Sequence, residues 1–193
     1  MFFVGLDLGQ KQDFSAVAVV EPTPQCMRVR HLERLPLGTP YVKVVSRVSE
    51  IMRHPALAQR SRLVVDATGV GAPVVEMLRA VRPPCRVTAV TITAGEIARG
   101  GGEEWHVPKK DLMAGLQVLL ESGRLKIPRK LEAAATLVRE LTDVRLNPKP
   151  GGRVGIGADG YGEHDDLALA VALACWRARR GEIGHGTRRL PGI

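Results

Sequence analysis

Two apolar runs separated by a short polar turn open the chain. Phe2 to Leu8 is apolar except for one carboxylate, Asp7, Gly9 to Asp13 is polar, and Ser15 to Val20 is apolar again. This pattern predicts a β-hairpin with an acid near the end of its first strand. Gln25 to Leu35 roughly alternates and reads as a third strand completing a meander, with Pro22 and Pro24 in the turn before it. From Thr39 or Pro40 to about Arg53 the spacing becomes helical, with Val44, Val45, Val48, Ile51 and Met52 on one face. Arg62 to Asp66 is a short continuous apolar strand of the kind buried on both faces, and it too ends on a lone acid. Ala67 to Pro73 is a small, glycine-rich bend leading into a helix over Val74 to Val81, and Arg86 to Ile92 supplies another strand. A strand, a tight turn and a helix N-terminus put backbone N–H groups at the strand's carboxyl end, where open α/β sheets carry their sites.

Thr93 to His106 reads as a loop, with Arg99-Gly-Gly-Gly102 its mobile part. Pro108 starts a helix that runs to about Ser122 and is stopped by Gly123, with Leu112, Leu116, Leu119 and Leu120 as its apolar face. Leu125 to Ile127 is a short strand and Arg129 to about Leu141 a further helix. Asp143 to Leu146 and Arg153 to Ile156 flank Asn147-Pro-Lys-Pro-Gly-Gly152, a second hairpin signal. Glu163 to Arg180 is an alanine-rich helix, apolar on nearly every side over its middle and therefore buried. The expected architecture is α/β: a mixed sheet made of a three-stranded antiparallel meander plus parallel strands, flanked by helices, with an extra β-hairpin. One domain over residues 1–180 and a flexible basic tail over 181–193 account for the chain.

Composition narrows the class without naming a function. With 193 residues, 45% of them hydrophobic and 25% charged, the chain has a real core and is not a disordered polymer. No window approaches the roughly 18 to 20 apolar residues of a membrane span, and the start lacks the pattern of a signal peptide, so the expected location is the cytoplasm. Cys26, Cys85 and Cys175 form no CxxC pair and indicate neither a zinc site nor a disulfide framework. The balance of 28 Lys and Arg against 20 Asp and Glu, a net +8, favours a polyanionic partner. Aromatic residues are only 4% of the chain, which argues against a single-strand binder built on stacking platforms.

The acids carry the chemistry. A charge in a buried strand is costly unless something compensates it. Asp7, Asp66 and the pair Asp165-Asp166 are far apart in sequence, yet each lies at an end of an apolar element. If two central strands and a buried helix bring those ends together, the carboxylates repel one another, and oxygen-liganded Mg²⁺ or Mn²⁺ relieves the repulsion. The expectation is a two-metal carboxylate cluster, with ions about 3.5 to 4 Å apart, of the kind that supports in-line phosphodiester hydrolysis.

Four blocks now carry a family resemblance: GLDLG with its hairpin into DFSAVAVV, then LVVDATGVGAPVVEML, then VPKKDLMAGLQVLLESGRLKIP, and last HDDLALAVALA. In that order, over Phe2 to about Arg177, they resemble the carboxyl-terminal nuclease domain of viral terminase large subunits, within the ribonuclease H-like fold. The resemblance implies an endonuclease that cuts concatemeric double-stranded viral DNA during packaging in the host cell cytoplasm. Its implied partners are a packaging ATPase domain, a small terminase subunit and a portal. Asp7 would bridge both metals, Asp66 would serve one, and a carboxylate at the start of the last helix the other. In the family's pattern that acid stands directly before the apolar stretch, as Asp166 does, leaving Asp165 to satisfy free amides and the helix dipole. The chain has no GxxxxGK[ST] run, so it is not the packaging motor by itself.

Other residues have two readings each. Asp13 is a hairpin-turn residue or a supporting acid near the metals. His164 bonds locally at a helix start or orients water, and Glu163 is solvated or reaches the metal of Asp166 one turn on. Lys109 and Lys110 stand at a helix start, unfavourable for the dipole, which suggests phosphate contact as an alternative to simple solvation. Lys149 and Arg153 on the second hairpin, with Arg99 on the glycine loop, are candidates for gripping the duplex backbone. Three rival functions remain open: a Holliday-junction resolvase, a fragment of a sugar kinase or actin-like ATPase, whose first hairpin GLDLGQKQDFSAVAVV also resembles, and a non-catalytic DNA-binding module.

Overall fold

The structure is a computed structural model that describes residues 1–9, 13–143, 146–149, 153–156 and 165–183, with the backbone alone at 143, 146–149, 153–156 and 181–183. Its elements run β1 (Phe2–Asp7), β2 (Ala16–Pro22), β3 (Met27–Arg34), α1 (Tyr41–Arg53), β4 (Ser61–Asp66), α2 (Gly71–Ala80), β5 (Arg86–Thr93), β6 (Arg99–Gly101), β7 (Glu104–Pro108), α3 (Lys109–Glu121), β8 (Leu125–Lys126), α4 (Ala134–Asp143), β9 (Leu146–Lys149), β10 (Arg153–Ile156) and α5 (Asp166–Ile183). Eight strands form one sheet in the order β6-β7-β5-β4-β1-β2-β3-β8, and β9 and β10 pair separately. The meander β1-β2-β3 is antiparallel. β1, β4, β5 and β7 run parallel, each to the next. This is the mixed sheet expected from the hydrophobic pattern.

Alternation along the strands decides which helix covers which face. Val4 and Leu6 of β1, Val17 and Val19 of β2, and Leu63 and Val65 of β4 pack with α1 and α2. The residues between them, Phe3, Ala16, Ala18, Val20 and Val64, pack with α3, α4 and α5. The face under α5 is lined with small side chains, and α5 answers with its own alanines Ala168, Ala170, Ala172 and Ala174. The approach is tightest at Gly5, where a Cβ would lie 1.9 Å from the Ala170 carbonyl oxygen. Only glycine fits there, and the contact sets how deeply α5 beds onto the sheet's centre.

Four differences from the sequence-based expectation have physical reasons. The segment expected as a loop with a mobile Arg99-Gly102 contains β6 and β7. β7 joins the sheet by pairing with β5, and its Trp105 and Val107 face the core, while Gly100 within β6 and Gly102 in the tight turn take positive φ. A five-residue strand beside three glycines has no periodicity to read. α4 starts at Ala134 because residues 128–133 form turns, with Leu131 N–H on Pro128 O and Ala134 N–H on Leu131 O. The second hairpin has its first strand at Leu146–Lys149, with Asp143 closing α4. α5 starts at Asp166 and runs to Ile183, three residues into the expected tail. Residues 184–193 lie outside the described ones, as do Glu163 and His164 and the side chains of Lys149 and Arg153.

The three cysteines are free, two of them buried. Among the described residues no helix is long and apolar enough to cross a membrane.

Candidate active site

β1 and β4 are parallel neighbours, with Leu6 opposite Val65, so Asp7 and Asp66 end adjacent strands at the same edge of the sheet. By the alternation above both acids stand on the α5 face. α5 begins there with Asp166, and the Asp165 carbonyl accepts the Leu169 N–H at 2.8 Å, which makes Asp165 the residue that caps the helix. The four carboxylates named from the sequence are therefore brought to one place. Asp7 is 7% exposed and Asp166 5%.

The turn after β4 is built to hold Asp66. Its Oδ1 accepts the Thr68 N–H at 2.8 Å, the short-range contact that lets aspartate stabilise a bend. The Thr68 hydroxyl accepts the Ile92 N–H at 2.8 Å and the Ala67 N–H donates to Val90 O at 2.8 Å, so β5 is tied to the same turn. At Gly71 a Cβ would lie 2.1 Å from Asp66 O, so α2 can start this close to the acid only on glycine.

Burial pushes the Asp7 carboxyl well above the ordinary carboxylate range, and the charges of Asp66, Asp166 and Asp165 push it further, with Lys109 pulling it back. Asp66 is also raised, by burial, against the Thr68 contacts and Lys109. Lys109, the first residue of α3, puts its Nζ 2.7 Å from Asp165 Oδ2. The lysine that is badly placed for its own helix dipole is matched to the acidic cluster. Lys110 pairs with Glu96, and Arg99 is exposed on the edge strand β6. Asp13 is exposed in the connection between β1 and β2.

Sequence reasoning missed two members of the neighbourhood. Arg34 ends β3, and the register Asp7–Ala16–Arg34 carries one row across the meander, so the arginine shares the edge and face of Asp7. Its Nη2 pairs with Glu140 Oε1 and stands 3.3 Å from Asp166 Oδ2, while its guanidinium lies over the Phe14 ring at 4.6 Å. Glu140 is 6% exposed, and its Oε2 accepts the Ala168 N–H at 2.8 Å. Burial lifts its carboxyl to about 7 against the help of Ala168 and Arg34, with Asp166 and Asp165 adding to the rise. One signal was readable: Ala134, Leu137 and Glu140 follow each other three apart on the buried stripe of α4.

The donor set fits a hard divalent cation. All its members are carboxylate oxygens, and the mutual repulsion felt at Asp7 is what such an ion relieves. Among the described residues no three His, Cys, Asp or Glu side chains are grouped closely enough to hold an ion in common. Mg²⁺ does not demand such a cage, since it keeps several waters and takes one or two carboxylates together with substrate phosphates.

No protein-family model and no curated protein matches the chain. Solved structures do. The large terminase nuclease from thermophilic phage G20c with bound magnesium superposes with a TM-score of 0.67 at 23% identity, over 92% of this chain and 81% of that one. The large terminase nuclease domain of bacteriophage SPP1 with bound manganese gives 0.60 at 13% identity, over 92% and 86%. Against the large terminase of another thermophilic bacteriophage the TM-score is 0.62 at 10% identity, over 89% of this chain and 38% of that one. At these identities the likeness is one of fold, and that fold is the ribonuclease H-like architecture of terminase nuclease domains.

Proposed function

We propose, from a fold shared with terminase nuclease domains, that this chain is a divalent-metal-dependent endonuclease that hydrolyses double-stranded DNA and cuts concatemeric viral DNA during packaging. The observation that carries the reading is geometric. Two acids end the adjacent parallel strands β1 and β4 beneath the first turn of α5, whose own first residue is a third acid. The neighbours crystallised with magnesium or manganese support a divalent ion, and a match to 38% of a large terminase supports a separate ATPase as partner.

Asp7, Asp66 and Asp166 would hold the ions. Asp7, which feels the charge of both the others, is the candidate bridge. Asp166 is preferred over Asp165 because Asp165 is held more tightly, its carboxylate by Lys109 at 2.7 Å and its carbonyl by the cap of α5, while the Arg34 contact at Asp166 is 3.3 Å. Bound divalent ions would supply an activated water and neutralise charge on the leaving oxygen. The protein's own part is to fix Asp66 through Thr68, to fix Asp166 through the first turn of α5, and to place Lys109 where it screens the acids. The net charge of +8 favours the polyanionic substrate, with Lys109, Lys110, Arg99, Lys149 and Arg153 as the candidate backbone contacts.

A plasmid-nicking assay with Mg²⁺, Mn²⁺ or EDTA, run beside Asp66→Asn, tests this. Cutting that needs metal and disappears in the variant is the expected result. Cutting that survives in EDTA or in Asp66→Asn refutes the assignment. A linear duplex compared with a four-way junction separates this enzyme from a resolvase, which would strongly prefer the junction.

A further inference from the structure

We propose that Arg34 and Glu140 form a positioning pair that sets the carboxylate of Asp166 for its divalent cation. The inference rests on the reading of Asp166 as a metal ligand. Neither residue is a candidate ligand itself.

Glu140 uses its two oxygens in different directions. Oε1 binds Arg34 of β3, and Oε2 takes the Ala168 N–H of α5 at 2.8 Å. That amide belongs to the third helical residue after the cap Asp165, the amide that a capping side chain ordinarily satisfies. Here the capping carboxylate turns to Lys109, and a carboxylate from α4 takes its place. One buried side chain thus ties α4, β3 and the first turn of α5 together at the point where Asp166 leaves the helix.

Arg34 completes the constraint. Its backbone is fixed in the sheet opposite Ala16, and the next residue, Leu35, donates its N–H to Ser15 O at 2.8 Å. The guanidinium is planar, rests on Phe14, and shares Nη2 between Glu140 and Asp166. Held by Glu140, the rigid guanidinium keeps its charge at a fixed place 3.3 Å from Asp166 Oδ2, an ion-pair contact that biases where that carboxylate rests. The side chains of Arg34, Glu140 and Asp166 are 20%, 5% and 7% exposed. This is therefore not one of the solvent-exposed ion pairs that contribute little. The Asp166 contact, at 3.3 Å, is the looser of the two, so a cation can take that carboxylate while Glu140 continues to satisfy Arg34.

The test is Mn²⁺ binding by titration calorimetry on the full chain without DNA, beside thermal unfolding. It compares wild type, Arg34→Met, Arg34→Lys, Glu140→Gln, the double variant Arg34→Met/Glu140→Gln, and Asp66→Asn. Arg34→Met and Glu140→Gln are each expected to weaken Mn²⁺ about 10- to 100-fold, the range for residues that orient a ligand. Arg34→Lys, which keeps the charge but not the fork, should not restore affinity. The double variant should be no weaker than either single one, because both act through one contact. Wild-type or tighter Mn²⁺ affinity in a folded Arg34→Met overturns the proposal. Should that variant fail to unfold cooperatively, the double variant, which leaves no unpaired buried carboxylate at 140, decides by the same criterion. Wild type that binds no Mn²⁺, or binding unchanged by Asp66→Asn, instead overturns the metal-site reading beneath it.

Discussion

Replacing Asp7 by asparagine should remove activity and add stability. Asp7 is buried among three other carboxylates, and burial, Asp66, Asp166 and Asp165 all oppose its charge while Lys109 favours it. The folded state therefore holds its proton to a higher pH than the unfolded chain does. Below the unfolded value both states are neutral at this position and Asp7 costs nothing. As pH rises, the unfolded chain ionises first, stability falls, and the full cost is present once pH has passed the folded value. At neutral pH without metal, Asp7→Asn removes that cost at nearly constant shape. Single stabilising substitutions commonly add about 0.5–2 kcal/mol. For a chain of 193 residues, at about 2–4 °C per kcal/mol, the midpoint should rise by about 1–8 °C. Scanning calorimetry in EDTA at pH 7.5 and again near pH 4.5 is the assay, and the gap between the two proteins should narrow at the lower pH. Adding Mn²⁺ should reverse the order. A ligand at 100 times its Kd stabilises by about 2.7 kcal/mol, a gain open to wild type and reduced or absent in the variant. An Asp7→Asn protein less stable than wild type in EDTA would refute the reasoning, because Asp7 would then be a structural acid whose charge is satisfied.

Three further predictions test the frame around the site. Lys109→Met should move the acidic limb of Mn²⁺ binding to higher pH, because Lys109 lowers the proton affinity of both Asp7 and Asp66 and its loss keeps them protonated longer; titration calorimetry at several pH values reads the shift, and an unmoved limb counts against it. Gly5→Ala should destabilise by about 1–3 kcal/mol or more, since its Cβ would meet the Ala170 carbonyl at 1.9 Å and α5 must shift; chemical denaturation measures it, and a neutral result would mean that α5 is not held this close. Leu173→Ala, at a fully buried position of α5, should cost about 2–5 kcal/mol by the same measurement.

The parts of the site that were legible in the sequence share a property: each shows as a local contradiction. A carboxylate inside FFVGLDL or RLVVD is costly where it stands, so its presence alone asks for a compensating partner. Period-two alternation then puts Asp7 on the face of Gly5 and Asp66 on the face of Val64, the face that the alanines of α5 cover. Asp166 stands out in the same way, as the last charge before the apolar run Leu167–Trp176. Arg34 carries no such contradiction, and Glu140 only the faint one of its place on the stripe of Ala134 and Leu137. Arg34 closes a strand with several charged positions and Glu140 sits in a helix with polar neighbours, so each has an ordinary solvated reading. Their partnership spans 106 residues and exists only once β3, α4 and α5 are assembled. The strand β7 was hidden for the same reason, since it is defined by pairing with β5 and not by any pattern of its own. Lys109 lies between the two cases: its conflict with the α3 dipole is visible in the sequence and leaves both an anion contact and plain solvation open. Within the protein the anion that the fold brings to it, at 2.7 Å, is Asp165, a partner no local pattern announces. A misplaced charge thus identifies that a partner is needed, while the chain's topology decides which of the available partners meets it.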